Sequence, residues 1–302
     1  MATFAKKTFD TARYAAARPT YPRTLYDLIL KYHEGDKRAR WNMALDLGCG
    51  TGQATTELSQ FKRVVGIDPS EKMLQGARTR VESLYPSGTD QFRFVHSAAE
   101  DLSSFPDNSV DMTVSAQAAH WFNWSKLWPE LARVMRPGGT LAVWGYSEFR
   151  LSEHPSVTPL IHQYSQGTDP ENSLGPHWER PGRTIVDEHL QAIPNGNEVV
   201  PGALSDFQRL YFTGPHHPTL PSPRPVILRT KTTWDGLLGY LHTFSSLHTF
   251  HEKYPHDLAH PDGDISVRFW KALQEQVRKD KGEVGEHVMV EWPLALIVAK
   301  FA

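Results

Sequence analysis

The sequence predicts an α/β fold built on a mostly parallel sheet, and three observations carry that expectation. Short apolar runs recur through the first half, with stretches of helical composition between them. The first run, Met43-Ala44-Leu45-Asp46-Leu47, ends in the glycine turn Gly48-Cys49-Gly50-Thr51-Gly52. The second, Val64-Val65-Gly66-Ile67-Asp68, ends in an acid. Strands joined by helical crossovers lie parallel, with helices on both faces of their sheet.

Each element follows from local pattern. After the glycine turn, Gln53 to Phe61 has helix-like composition. Ser70 is placed to cap a helix in which Met73, Leu74 and Ala77 recur at helical spacing. Phe92-Arg93-Phe94-Val95 is a third strand and Val110-Asp111-Met112-Thr113-Val114-Ser115 a fourth. A helix through Trp128 to Val134, a turn at Arg136-Pro137-Gly138-Gly139 and a fifth strand, Thr140 to Trp144, come next. From Ser147 to Pro225 the proline content rises, and short helices and loops are expected around one strand, Phe207 to Phe212. Trp234 to Phe250 and Ile265 to Arg278 read as helices, and His287 to Phe301 as strand that ends the sheet.

A chain of 302 residues with 39% hydrophobic content suffices for one large domain. Its expected organisation is a single domain over 1–302, with an N-terminal arm and helix (1–40), a core (41–146), and cover insertions with final strands (147–302). Lys+Arg (32) and Asp+Glu (34) nearly balance, so neither nucleic acid nor a membrane surface is indicated as a partner. The fifteen histidines are scattered rather than set at ligand spacing, and no metal is expected. Cys49 is the only cysteine, which rules out an intramolecular disulfide. Met1 to Asp10 lacks the apolar core of a signal peptide, no later stretch is apolar over ~18 residues, and a cytoplasmic location is the expectation.

Glycines 48, 50 and 52 let the backbone bend sharply and approach a ligand, a device that dinucleotide sites also use. The acids sharpen the reading. Asp46, two residues before the first glycine, would repel a pyrophosphate but receive an ammonium group. Asp68 is placed to accept hydrogen bonds from both hydroxyls of a ribose. One acid for an amine and one for a diol describe S-adenosylmethionine better than a phosphate-bearing cofactor.

Leu45-Asp46-Leu47-Gly48-Cys49-Gly50-Thr51-Gly52 and Gly66-Ile67-Asp68-Pro69-Ser70 resemble the cofactor loop and ribose segment of the class I methyltransferases. The resemblance implies a Rossmann-like fold with a mostly parallel seven-stranded sheet and a helical cover over the active site. It further implies S-adenosyl-L-methionine as donor, S-adenosyl-L-homocysteine as product, and cofactor contacts from Asp46, Gly48, Gly50, Asp68, Pro69 and Gln117. Ser97-Ala98-Ala99-Glu100-Asp101-Leu102 resembles the adenine segment, with Ala98 where many members carry an acid. The adenine contact then falls to the Ala99 backbone and the Glu100 side chain; equally, Glu100 and Asp101 suit the first turn of a helix. Met73 packs on the adenosine or is ordinary core. The string Phe9, Tyr14, Arg18-Pro19-Thr20-Tyr21-Pro22 resembles an arm that folds over the cofactor, with Tyr14 and Arg18 near its carboxylate.

Ala119-His120-Trp121-Phe122, Trp144-Gly145-Tyr146 and Gly175-Pro176-His177-Trp178-Glu179-Arg180-Pro181-Gly182-Arg183 narrow the resemblance to the fungal trans-aconitate and cantharidin-type toxin methyltransferases, over nearly the whole chain. It implies a small, anionic acceptor contacted by His120, Trp121, Trp144, Tyr146, Trp178, Arg180 and Arg183. The three tryptophans fit core or lid packing as well. A carboxylate acceptor needs no base, so His120 would orient it while Arg180, Arg183 or Arg229 holds a second carboxylate. A hydroxyl acceptor would need His120 as catalytic base, for which an ordinary pKa of ~6.5 is suitable. Two rival functions stand beside this one: a tRNA-modifying methyltransferase, and a cofactor-binding regulator without turnover. The sequence leaves the oligomeric state open.

Overall fold

The computed structural model describes residues 17–302. Along the chain come α1 (Arg23–Glu34), β1 (Met43–Leu47), β2 (Arg63–Asp68), α2 (Glu71–Leu84), β3 (Phe92–His96), β4 (Val110–Ala116), α3 (Trp124–Val134) and β5 (Met135–Tyr146). There follow β6 (Arg150–Leu151), α4 (Thr158–Gln166), α5 (Gly182–Asp187), α6 (Gly196–Val199), β7 (Leu204–Phe212) and β8 (Leu228–Thr233). The chain ends with α7 (Trp234–Leu241), α8 (Ser245–Lys253), α9 (Ile265–Lys281), β9 (His287–Trp292) and β10 (Leu294–Phe301). These elements form two compact units, one of Thr20–Tyr146, Thr184–Ile227 and Leu294–Ala302, the other of residues 17–19, Ser147–Arg183 and Leu228–Pro293.

The first unit holds a seven-stranded sheet in the order β3-β2-β1-β4-β5-β10-β7. The first five strands in that order run parallel, and β10 pairs antiparallel with both β5 and β7. Leu45, Val65, Leu141, Val143 and Ile297 of the sheet form one core with Leu127, Trp128, Leu131 and Val134 of α3. Burying each such side chain contributes on the order of 2 kcal/mol. Trp144 is on the other side of the β5 pleat, where the Tyr26 ring of α1 meets it edge-on at 5.9 Å. The strand order reverses between β1 and β4, whose carboxyl ends are where open α/β sheets take their ligands.

The second unit carries a three-stranded antiparallel sheet, β6-β9-β8, together with α4, α7, α8 and α9. Its packing is aromatic. Tyr164 of α4 stacks on Phe269 of α9 at 3.9 Å, and the Trp292 indole donates to the Tyr240 hydroxyl at 2.9 Å.

Five expectations need correction. Only a single 3-10 turn, Thr55–Leu58, forms where Gln53 to Phe61 reads as helix. Thr56 Oγ1 bonds the carbonyls of Gly52 and Gln53, and Thr55 Oγ1 is drawn to Asp46, so side chains compete with the helical ladder. No helix begins at Glu100 and Asp101, because the link from β3 to β4 is irregular. The helix expected over Trp234 to Phe250 breaks at 242–244, where Thr243 bonds back to the Tyr240 carbonyl through both N–H and Oγ1 and Phe244 is extended. The strand expected over His287 to Phe301 is two strands in different sheets, split by Pro293, which has no N–H for either ladder. Finally, the short β6 forms inside the region expected as short helices and loops, and β8 occupies the stretch between that region and the helix expected from Trp234. The Arg136-Pro137-Gly138-Gly139 turn survives as an irregularity inside the long β5, where the pairing with β4 shifts register.

Candidate active site

The site is assembled at the carboxyl ends of β1, β2 and β4. Asp46 on β1 is fully buried. Thr55 Oγ1 donates to its Oδ2 at 2.6 Å, while Oδ1 is buried with no hydrogen-bond partner among the described residues. Burial pushes the Asp46 pKa up to about 7; the Thr55 hydrogen bond opposes this and the nearby Asp68 charge adds to it.

Asp68 closes the other side of the glycine turn. Its Oδ2 accepts from Gly50 N at 2.9 Å and its Oδ1 from Ser70 N at 2.8 Å. Burial raises its pKa, against those two backbone donors. One carboxylate thereby fixes both the turn and the entry to α2, where Ser70 Oγ accepts from Met73 N. His96 Nε2 donates to the Pro69 carbonyl at 2.8 Å and ties the same segment to the end of β3.

Two glycines are required by geometry. Gly48 has φ +66°, and a Cβ there would collide with that of Ala118, so the turn and the β4 end touch backbone to side chain. Gly50 has φ +53°, and a Cβ added to it would meet no atom within 4 Å. An open face above Gly50 and an unpartnered buried carboxylate oxygen on Asp46 fit an adenosyl group carrying an ammonium. Asp46, the 48–50 turn and Asp68 are the residues that would hold it.

The other candidate residues divide. Met73 is buried on α2, and Ala99 is part of the core cluster of the first unit. Glu100 Oε1 accepts from Asn123 N at 2.6 Å, at the N-terminus of α3. Gln117 adopts φ +55°, and its side-chain amide bonds the backbone of Tyr146. His120 and Trp121 share a 3-10 turn after β4, their rings 4.8 Å apart, with Trp121 40% exposed. Trp144 is 0% exposed, held edge-on between Tyr21 (5.5 Å) and Tyr26 (5.9 Å). Tyr146 ends β5, its ring 6.4 Å from that of Tyr21.

In the second unit, the Arg18 guanidinium donates to Thr243 O at 3.1 Å and lies 5.6 Å from the Tyr240 ring. Arg183 stacks over Trp178 at 4.2 Å, and Trp178 Nε1 donates to Ser165 O. Arg229 is on β8 opposite the buried Glu291 of β9. Arg180 directly precedes Pro181 and the start of α5. Tyr14 lies outside the described residues. No group of three or more metal-ligating side chains that could hold a metal ion occurs among the described residues.

Sequence reading missed Thr55 and Tyr26. The signal for Thr55 was the pair of β-branched residues in a segment read as helix; nothing local marked Tyr26, whose role comes from the packing of α1 against β5.

Residues 45–143 match the methyltransferase domain family. A probable S-adenosylmethionine-dependent methyltransferase of Saccharomyces cerevisiae, CRG1, is 35% identical over 206 residues, which are 68% of this chain and 65% of that protein. This chain therefore spans slightly less than two thirds of the length of that relative. The methyltransferase tpcM of Aspergillus fumigatus is 26% identical and covers 98% of this chain and 92% of its own. A solved structure from Anaeromyxobacter dehalogenans, assigned to the type II methyltransferases, superposes with a TM-score of 0.64 at 26% identity, covering 94% of this chain and 97% of that one. Together the sheet order and the family match mark residues 45–143 as a methyltransferase domain on a Rossmann-like fold. No helix among the described residues is long and apolar enough to cross a membrane.

Proposed function

We propose that the protein as a whole transfers a methyl group to a carboxylate oxygen of a small, anionic molecule of the trans-aconitate or cantharidin-derived kind. The observation that carries this reading is the chemistry beyond β4, where a histidine and a part-exposed tryptophan share one turn and no basic stripe accompanies them.

When bound, the cofactor supplies an activated methyl group on a sulfonium. The chain's own task is to hold, orient and exclude water. The Asp46 carboxylate takes the ammonium through its unpartnered Oδ1, and Asp68 takes the ribose hydroxyls with lone pairs not used by Gly50 and Ser70. Met73 lines the adenosine side, with the Ala99 backbone and the remaining Glu100 oxygen at the adenine edge. Tyr14 and Arg18 are proposed for the cofactor carboxylate. A carboxylate acceptor is already a nucleophile at neutral pH, so His120 orients it rather than removing a proton. Trp121, Tyr146 and the Trp178 ring are proposed for the acceptor side, Trp144 supports β5 from the interior, and Arg180, Arg183 or Arg229 is proposed for a further carboxylate.

The test is to incubate the purified protein with methyl-labelled S-adenosylmethionine and separate pools of small di- and tricarboxylic acids, tRNA and protein. Label entering the acid pool alone is the expected result. Label in tRNA would support a tRNA-modifying enzyme instead, and binding without transfer to any pool a regulatory cofactor-binding protein.

A further inference from the structure

Where β4 leaves the sheet, its last ladder bonds are made by a side chain. Gln117 N donates to Trp144 O at 2.8 Å, as a parallel ladder requires. The backbone then turns away, with Gln117 at φ +55° and Ala118 held against the Gly48 turn. The next peptide group of β4 is therefore not available to Tyr146. The Gln117 side-chain amide takes its place: Tyr146 N donates to Gln117 Oε1 at 2.7 Å, and Gln117 Nε2 donates to Tyr146 O at 3.0 Å. A primary amide has the same donor and acceptor pair as a peptide, so both polar backbone groups of Tyr146 are satisfied by one residue.

We propose that Gln117 is a positioning residue for the acceptor side of the site, locking Tyr146, the last residue of β5, to the turn that carries His120 and Trp121. Only Ala118 and Ala119 lie between Gln117 and His120. With the clamp made, the end of β5 and the 119–121 turn hold a fixed separation. Without it, Tyr146 loses its bonds to β4 just where the chain departs for Ser147. Both polar atoms of the amide bond Tyr146, and the role assigned to them is to hold that residue rather than the cofactor. The assignment rests on the reading above that His120, Trp121 and Tyr146 face the acceptor, but the clamp itself does not.

Two substitutions separate the possibilities. Gln117→Leu removes both bonds, whereas Gln117→Glu keeps an acceptor for Tyr146 N but sets a second, ionised acceptor against Tyr146 O in place of the donor. Hydrogen exchange of the Tyr146 amide should speed up by about tenfold or more in Gln117→Leu and by less, but measurably, in Gln117→Glu. Calorimetric affinity for S-adenosylhomocysteine should stay within about threefold of wild type in both. With trans-aconitate as probe, kcat/KM for the acceptor should fall about tenfold or more in Gln117→Leu and less in Gln117→Glu, with KM for S-adenosylmethionine unchanged. Unaltered Tyr146 exchange in Gln117→Leu would overturn the clamp. A loss of S-adenosylhomocysteine affinity of about tenfold or more in either folded variant would make Gln117 a cofactor contact and overturn the assignment. If wild type does not turn over trans-aconitate, that acceptor class fails, and the exchange and calorimetry still decide the clamp. If Gln117→Leu does not fold, Gln117→Glu decides through the same measurements: faster Tyr146 exchange with S-adenosylhomocysteine affinity within about threefold of wild type supports the clamp, and unchanged exchange overturns it.

Discussion

Thr55 Oγ1 donates a 2.6 Å hydrogen bond to Asp46 Oδ2 at a point where both side chains are fully buried. The bond holds one oxygen of the acid and leaves the other for a ligand. Because burial pushes the Asp46 pKa up to about 7, the free protein carries this acid protonated in mildly acidic solution. Only the ionised form attracts an ammonium group. Affinity for S-adenosylhomocysteine should therefore rise with pH through about 7 and weaken by up to about tenfold per unit below it. Calorimetry at pH 6 and 8, in buffers of differing ionisation enthalpy, should show proton release on binding at pH 6. Asp46→Asn should bind weakly with no such slope; a slope that persists in this variant would assign it to another group.

The same acid should leave its mark on the unliganded protein with the opposite sign. A carboxyl whose pKa is raised by folding holds its proton where the unfolded chain has lost it. Its contribution is complete below the unfolded value near ~3.8 and is lost as pH rises through about 7. The stability of wild type relative to Asp46→Asn, from urea midpoints without cofactor, should fall from pH 5 to pH 8. A flat difference would show that Asp46 titrates normally.

Asp68→Ala should fail twice. It deletes the acceptor for the ribose hydroxyls and also releases Gly50 N and Ser70 N, with charged hydrogen bonds worth about 1.5 to 3 kcal/mol each. We expect the dissociation constant for S-adenosylhomocysteine to rise by about tenfold or more, with a lowered melting temperature. An unchanged dissociation constant in a folded variant would remove Asp68 from the site.

Trp144 and Trp121 look alike in sequence, since each lies at or just beyond the carboxyl end of an expected parallel strand, but the structure separates them. Trp144 is 0% exposed between two tyrosine rings, and Trp121 is 40% exposed. Trp144→Ala should cost about 3 to 5 kcal/mol of stability, the range for emptying a buried aromatic site. Trp121→Ala should melt within a few degrees of wild type and show its effect in acceptor kinetics. Equal melting temperatures for the two variants would contradict this division.

Away from the site, Lys300 of β10 is buried, with Nζ donating to His33 O at 2.7 Å and to Thr140 Oγ1 at 2.9 Å. Burial pushes its pKa down to about 8. A base with a depressed pKa penalises the fold while it is charged, and the penalty is relieved as pH rises from about 8 towards the unfolded value near ~10.4. Wild type should thus gain stability relative to Lys300→Met between pH 8 and 10, as read by denaturant midpoints. No gain, or a loss, would mean that the ammonium stays charged throughout.

Much of the first unit was legible because a parallel sheet writes itself locally: apolar strand, turn residues, next strand. The carboxylates at 46 and 68 were legible for the same reason, being fixed by position at strand ends. What was hidden depends on partners distant in sequence. Thr55 leaves the helix because Asp46 needs its hydroxyl, and Trp144 is inside because Tyr21 and Tyr26 cover it. Pro293 was visible, but its consequence, one strand shared out to two sheets, needed knowledge of what β6 and β8 do. Gln117 looked like a ligand contact because of where it falls in the chain, and only the three-dimensional pairing reveals its bonds to Tyr146.

The claim that the acceptor atom is a carboxylate oxygen is tested most directly by the chemistry of the product. Methyl-labelled S-adenosylmethionine is turned over with the acid pool, the cofactor is removed, and the product is treated with mild alkali. A methyl ester returns its label as volatile methanol, which is the result expected here. Label that stays on a non-volatile product after alkali would mark an ether, amine or carbon acceptor and contradict the account.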